Sequence, residues 1–239
     1  MKKPAYSLII PVFNEEGTVA SLFYSLRDVM DGLKDEYEII FINDGSKDST
    51  LERLNALSSK NKSLHIINLP VNKGRGKALE EGFRNAKGEI IITLDGDLQN
   101  DPADIPKLIS TINLGFDLVC GWRFRRYDTM IKIIKSKIGN FLQRAITHID
   151  IHDISCSMRA YRKEAITCIH FQTKYDFTLL PYIISKKPKV KITEVKIRDN
   201  RRRFGKTKYK HLPTIIGTVY AYLKLLLRKK NVSRIRIDG

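Results

Sequence analysis

The sequence is short of cysteine, histidine, acid and long apolar runs, and each shortage narrows what the chain can be. Its three cysteines, Cys120, Cys156 and Cys168, form no CxxC pair and no zinc spacing. They are expected to be core thiols of a protein kept in a reducing compartment. The five histidines include no HExxH motif; His148 and His152 stand four apart, with Ile149 where that motif has Glu. The opening MKKPAYSLIIPVFNEE has too short an apolar stretch for a secretory leader. The longest late apolar run, Leu212–Leu227, contains Pro213, Gly217 and Lys224, and falls short of the roughly 20 apolar residues that a spanning helix needs. No transmembrane segment is expected. Acid is also scarce: 26 Asp and Glu stand against 43 Lys and Arg, a formal charge of +17. The expected partners are therefore anionic: nucleic acid, anionic lipid or a phosphorylated substrate.

What is present is an alternation of strands and helices. Apolar runs at Tyr6–Val12, Glu38–Ile42, Leu64–Leu69, Glu89–Leu94 and Asp117–Cys120 predict strands. Helix-like runs between them begin near Glu15, Asp48, Lys73 and Ala103. This pattern predicts an α/β fold with a mainly parallel sheet covered on both faces by helices. The 239 residues suit one large domain with a small appended segment. Past Ile131 the apolar spacing becomes helical through Ile149. HDISCSMRAYRKEA predicts a turn and a short extended piece leading into a helix. Thr178–Lys186 predicts a helix and Val190–Ile197 a strand. RDNRRRFGKTKYK predicts a basic loop, and Leu212–Arg228 a final amphipathic helix.

In such sheets ligands bind beyond the carboxyl ends of the strands. The polar clusters fall there: Pro11, Asn14 and Glu15 after the first strand, Asn43, Asp44 and Gly45 after the second, and Asp95, Asp97 and Gln99 after the fourth. If 95, 97 and 99 leave a strand at alternate positions, they point to one side. Their carboxylate and amide oxygens suit a hard cation such as Mg²⁺ or Mn²⁺. Gly96 would let a diphosphate approach closely, and a cation would offset the diphosphate's charge. Three other readings stand beside this one: a plain turn, a calcium loop whose spacing fails, and a carboxylate pair for acid–base work. NKGRGKALEEGF lacks both GxxxxGK[ST] and GxGxxG spacing. It suits a loop opening a helix, or a basic, backbone-exposing lip over a nucleotide.

Taken in order, SLIIPVFNEE, FINDGSKDST, NKGRGKALEEGF, ITLDGDLQNDP and HDISCSMRAYRKEA resemble family 2 glycosyltransferases of the GT-A fold. DLQNDP, VCGWRFRRYD and RRRFGKTKY narrow the resemblance to the dolichol-phosphate mannose synthase and polyprenyl-phosphate glycosyltransferase branch, from about Tyr6 to Tyr209. The resemblance implies that Pro11, Asn14 and Glu15 line the nucleotide pocket and that Asp44 faces the base. Asp95 would contact the ribose–diphosphate side, and Asp97 and Gln99, in one set with Asp95, would hold the metal. Arg123, Ser136, Lys137 and Asn140 would meet the acceptor phosphate. Asp153 would lie near the reacting centre, and Arg202 and Lys208 in a loop over the diphosphate. The chain departs from the pattern at Gly96, where Ala is usual, at Asn43 for Asp, at Lys137 for Arg, and at Phe177-Thr178 for His-Arg.

The resemblance implies transfer of a sugar from a nucleotide sugar, GDP-mannose or a UDP-hexose, to a polyprenyl or dolichyl phosphate, with inversion. Residues 1–210 would form the catalytic domain, and 211–239 a basic amphipathic helix and tail. The acceptor's tail stays in the bilayer, so a peripheral protein on the cytoplasmic face is expected, drawn to anionic lipid. An integral-membrane partner would complete the anchoring. A soluble saccharide or protein acceptor is the rival among enzymes, and a non-catalytic basic binding module the rival outside them. No nucleic-acid-binding motif is present, so nucleic acid is not an expected partner.

Overall fold

The computed structural model describes residues 3–124, 151–166, 183 and 189–201. β1 (Tyr6–Val12), α1 (Val19–Asp31), β2 (Tyr37–Asp44), α2 (Thr50–Ser58), β3 (Leu64–Leu69), α3 (Arg75–Asn85) and β4 (Ile90–Thr93) alternate along the first half. A 3₁₀ turn (Pro102–Asp104), α4 (Ile105–Ile112), β5 (Leu118–Arg123), β6 (Arg159–Arg162), a one-turn α5 (Lys163–Ile166) and β7 (Ile192–Ile197) follow.

The seven strands among the described residues form one sheet in the order β3-β2-β1-β4-β6-β5-β7. β1 pairs in parallel with β2 and β4, β2 with β3, and β5 with β7. β6 runs antiparallel between β4 and β5. β1 reads as a near-continuous apolar run because both its faces are covered: Leu8, Ile9 and Ile10 are all fully buried. On one face Leu8, Ile10, Phe41, Ile92 and Val119 meet α1, α2 and α4. On the other Ile9, Ile42, Ile91 and Tyr161 meet α3 and α5. α1 supplies Val19, Leu22, Phe23, Leu26 and Met30, the stripe that a one-sided helix needs.

The expected α/β sheet is present, with shifted element ends. α1 begins at Val19 rather than near Glu15, because Asn14 takes a left-handed φ of 51° and the chain loops first. α3 waits for Gly74, at φ 86°, and starts at Arg75 rather than near Lys73. β5 runs on to Arg123, past the expected Cys120, because Trp122 and Arg123 pair with Lys196 and Ile197 of β7. The short extended piece in HDISCSMRAYRKEA is a central strand, β6, which the sequence pattern alone did not place. The expected helices at 131–149, 178–186 and 212–228 and the boundary at 210/211 fall wholly or mostly outside the described residues.

β2 and β3 lie on one side of β1, and β4 on the other. The connections therefore reverse direction between β1 and β4, and the carboxyl ends of these two strands open the crevice where such sheets take ligands.

Candidate active site

The loops after β1 and β2 are tied together before any ligand is considered. The Asn14 amide N–H donates to Ser46 Oγ at 2.9 Å, and Asn14 Oδ1 accepts from the Lys47 N–H at 2.8 Å. The Glu15 N–H donates to Thr50 Oγ1 at 2.8 Å. Pro11 lies within β1, opposite Ile42. Gly45 turns the chain with φ 68°, where a Cβ would sit 2.5 Å from the Asn72 nitrogen. Asp44, buried at the end of β2, accepts from the Lys73 N–H at 2.7 Å and the Gly74 N–H at 2.9 Å. Burial raises its carboxyl pKa above the ordinary value in spite of these two bonds. The stretch before α3 is a loop opening a helix, one of its two readings, and two of its backbone N–H groups serve Asp44.

β4 ends at Thr93, and the acid pair leaves it through a turn at Gly96-Asp97 followed by Leu98 at φ 62°. The strand alternation expected to align Asp95, Asp97 and Gln99 is therefore broken, and the turn rather than the pleat places them. Gly96 also meets a neighbour inside the fold. A Cβ there would lie 2.6 Å from Val12 Cγ1, so the missing side chain makes room for β1. Thr18 Oγ1 donates to the Gly96 carbonyl at 2.7 Å and pins the turn to the start of α1.

Asp95 has a partner that the motif did not announce: Arg75 Nε donates to its Oδ1 at 2.7 Å. Burial pushes the Asp95 carboxyl up, but Arg75, Ser157 and the charge of Arg123 outweigh it and hold the group below the usual carboxylate range. Asp97 is buried, and its Oδ1 accepts from the Gln99 N–H at 3.1 Å. Asn100 Oδ1 accepts from Ser157 Oγ at 2.7 Å and, at 3.5 Å, from the Asp95 N–H. Thr93 Oγ1 donates to the Ser157 carbonyl at 2.7 Å, so β4, its turn and the loop before β6 form one unit.

On the far side of β4, Arg123 at the end of β5 meets Asp153. Arg123 Nε donates to Oδ2 at 2.7 Å, and Nη2 to Oδ1 at 3.1 Å. Ser155 Oγ donates to Asp153 Oδ1 at 2.8 Å and accepts from Arg123 Nη2 at 3.1 Å. Burial lowers the guanidinium pKa, but the bidentate carboxylate reverses this and raises it above its ordinary value. The neighbouring His152 stacks on Trp122 with ring centroids 4.2 Å apart, and its ring and backbone nitrogens face Glu194. Consecutive residues of this loop thus grip consecutive residues of β5.

The chain entering the basic loop is fastened to the acid-pair segment. The Asn200 N–H donates to the Gln99 carbonyl at 2.8 Å, and Asn100 bridges Asp199. The Arg198 N–H donates to Asp104 Oδ2 at 2.6 Å, and its guanidinium lies 3.2 Å from Asp101. Ser136, Lys137, Asn140, Arg202 and Lys208 lie outside the described residues. Cys120 and Cys156 are buried core thiols, as expected, which burial pushes up to about 11 and about 12; Cys168 lies outside the described residues. Sequence reasoning missed Arg75 as the partner of Asp95 and Ser155 as a partner of Asp153. Arg75 stood in a stretch already singled out, but its contact with Asp95 joins residues 20 apart and leaves no local signal.

The donor set fits a divalent cation in kind: two carboxylates and an amide on one short turn offer hard oxygens. Among the described residues no group of three His, Cys, Asp or Glu forms a cage. A cation here would draw its remaining ligands from a diphosphate and water.

Residues 7–169 match Glycosyl transferase family 2, and the chain belongs to that family. Its fold is the GT-A fold of glycosyltransferases. The chain is 33% identical over 206 residues to the dodecaprenyl-phosphate galacturonate synthase of Rhizobium johnstonii, covering 85% of this chain and 61% of that protein. It is 34% identical over 213 residues to the undecaprenyl-phosphate 4-deoxy-4-formamido-L-arabinose transferase of Salmonella choleraesuis, covering 87% and 64%. The chain thus spans somewhat under two thirds of the length of these relatives. Among solved structures it is similar to glucosyl-3-phosphoglycerate synthase of Mycobacterium tuberculosis in complex with Mn²⁺, UDP and phosphoglyceric acid. The TM-score is 0.72 at 21% identity, over 96% of this chain and 80% of that one. The same enzyme with Mn²⁺ and UDP-glucose gives 0.70 at 20% identity, over 96% and 80%. These structures bear on the fold alone.

Proposed function

We propose that the chain transfers a sugar from a nucleoside-diphosphate sugar to a polyprenyl phosphate, in one inverting step that depends on Mg²⁺ or Mn²⁺. The observation that carries this is the placement of Asp95 and Asp97 at the β1/β4 crevice, with Arg123 across β6 on the adjoining edge. The acceptor chemistry is supported by the names of both relatives, each a polyprenyl-phosphate sugar transferase.

In this reading the loops of Asn14, Glu15 and Asp44 shape the nucleoside end, and Pro11 lines it. Asp95 takes the ribose–diphosphate side, and Asp97 with Gln99 holds the cation. When bound, the cation neutralises charge on the departing diphosphate. The acceptor phosphate is substantially dianionic near neutral pH, because a phosphate second pKa is about 6. It therefore needs no strong base: its oxygen forms the new bond to the anomeric carbon as the bond to the diphosphate breaks. Arg123 offers the positive charge that orients it, with Ser136 and Lys137 alongside. Asp153 and Ser155 hold the guanidinium plane in place. Arg202 and Lys208 steady the leaving nucleoside diphosphate. Rate enhancement comes from positioning and fixed charge.

The same reading places residues 1–210 in the catalytic domain and 211–239 in a basic segment at the surface of the bilayer. Among the described residues no helix is long and apolar enough to cross a membrane. The proposed location is peripheral, on the cytoplasmic face, on anionic lipid and beside an integral-membrane partner. Incubating purified protein with a polyprenyl phosphate, a panel of UDP- and GDP-sugars and Mn²⁺ tests the reaction. A lipid-linked sugar that disappears in EDTA is expected. Transfer only to a soluble saccharide would overturn the acceptor assignment. Co-sedimentation with phosphatidylserine vesicles at low salt, lost at high salt, is the expected membrane result; no sedimentation at low salt would remove the peripheral placement.

A further inference from the structure

The acid pair carries an internal counter-charge. Arg75 is the first residue of α3, with its side chain 13% exposed, and Nε lies 2.7 Å from Asp95 Oδ1. The Asp95 side chain itself is 37% exposed, so a ligand can reach it. A guanidinium does not lose its proton in a protein, so this positive charge is permanent. The second acid is also engaged, since Asp97 Oδ1 accepts from the Gln99 N–H of its own turn. A dication entering this turn meets one carboxylate already held by a cation and another already holding a backbone amide. A nucleoside diphosphate changes that balance. Its oxygens supply ligands that the turn lacks, and its negative charge offsets Arg75.

We propose that Arg75 is a positioning residue that holds Asp95 as a place-holding cation and suppresses divalent-metal binding until a nucleoside diphosphate is present. The inference rests on the metal-binding reading of the acid pair given above. Asp97 and Gln99 are then the direct metal ligands, and Asp95 stays with Arg75 on the nucleotide side. The charge effect is large enough to measure. A unit charge about 6 Å from a dication is worth on the order of tenfold in affinity even near the dielectric of water.

Mn²⁺ binding to the full chain, followed by electron paramagnetic resonance of the free ion, tests this without sugar or acceptor. Wild type is expected to bind Mn²⁺ weakly alone and much more tightly with UDP or GDP. Arg75→Met keeps the length of the buried stem and removes the charge. It should bind Mn²⁺ about tenfold more tightly than wild type in the absence of nucleotide, and should gain less from adding it. Arg75→Lys keeps the charge and should stay near wild type. A folded Arg75→Met protein with unchanged or weaker nucleotide-free Mn²⁺ affinity would overturn the proposal. If Arg75→Met does not fold, Asp95→Asn and Asp97→Asn decide it with Arg75 in place. Asp97→Asn should cost the larger share of nucleotide-dependent Mn²⁺ binding, and equal losses would overturn it. Absence of Mn²⁺ binding in wild type and every variant, with either nucleotide, would overturn it as well. A failed transfer assay beside an intact Arg75 effect would instead count against the transferase reading alone.

Discussion

The two halves of the site are held by different physics. At the ends of β1 and β2, short polar side chains tie loops to backbone: Asn14 to Lys47, Ser46 to Asn14, Thr50 to Glu15, Asp44 to Lys73 and Gly74. At the ends of β5 and β7, charged and aromatic pairs do the holding: Arg123 with Asp153, His152 with Glu194 and Trp122, Arg198 with Asp104. The first arrangement braces neighbouring loops against one another through short, backbone-directed bonds. The second fixes the orientation of each basic group by setting a carboxylate against it, so the pairs are rigid and largely charge-balanced. Buried ion pairs are costly to break, because the surviving charge is left without its partner. Backbone-directed bonds each carry only about 1 kcal/mol.

The largest expected effect falls between the halves, at the acid pair. Asp97→Ala should lower transfer by at least about a hundredfold, the scale on which removing one transition-state charge stabiliser acts, while circular dichroism stays native. EDTA should do the same to wild type, and full activity in EDTA would remove metal dependence. Next comes Asp153→Ala, which takes the bidentate carboxylate from the largely buried Arg123. It should cost about 3–5 kcal/mol of stability in a urea titration. A loss under about 1 kcal/mol would erase the contrast between the halves, since that is the scale of a single backbone-directed bond. Gly96→Ala should cost about 1–3 kcal/mol by overpacking against Val12; a neutral result would show that β1 can shift.

Arg198→Ala should be milder, under about 1 kcal/mol, because its side chain is 59% exposed and water screens its pairs with Asp101 and Asp104. The smallest effect is a pH slope. The Asp44 carboxyl pKa is raised on folding, so its contribution to stability is greatest below the unfolded value, roughly 3.9, and declines as pH rises through the folded value. Asp44→Asn should flatten that decline, read from melting temperatures across the acid range. An unchanged slope would assign it to another group.

Much of the frame was legible in the sequence, because buried strands advertise themselves. Tyr6–Val12 and Leu64–Leu69 were bounded correctly from apolar runs and flanking turn residues. The alternation of strands with helices implied the parallel sheet, and the sheet implied that Asp44, Asp95 and Asp97 would gather at one edge. The extended piece in HDISCSMRAYRKEA was legible too, but its place as a central strand was not, because its four residues carry two arginines and no strand-like alternation. Its antiparallel insertion depends on the backbone groups of β4 and β5 on either side.

By itself, then, the sequence determined the fold class, the edge of the sheet that carries polar groups and the kinds of donor atom gathered there. These follow from local hydrophobic period and from residue chemistry. Only the tertiary structure decided the partners: Arg75 on Asp95, Asp153 on Arg123, Arg198 on Asp104, Val12 in the space beside Gly96. Such contacts join residues 20 to 94 positions apart. A side chain's local sequence encodes its charge and reach but not which distant group folding brings within 3 Å. The direction of the acid pair was decided the same way, by a turn that starts where β4 leaves the sheet while β1 runs on to Val12.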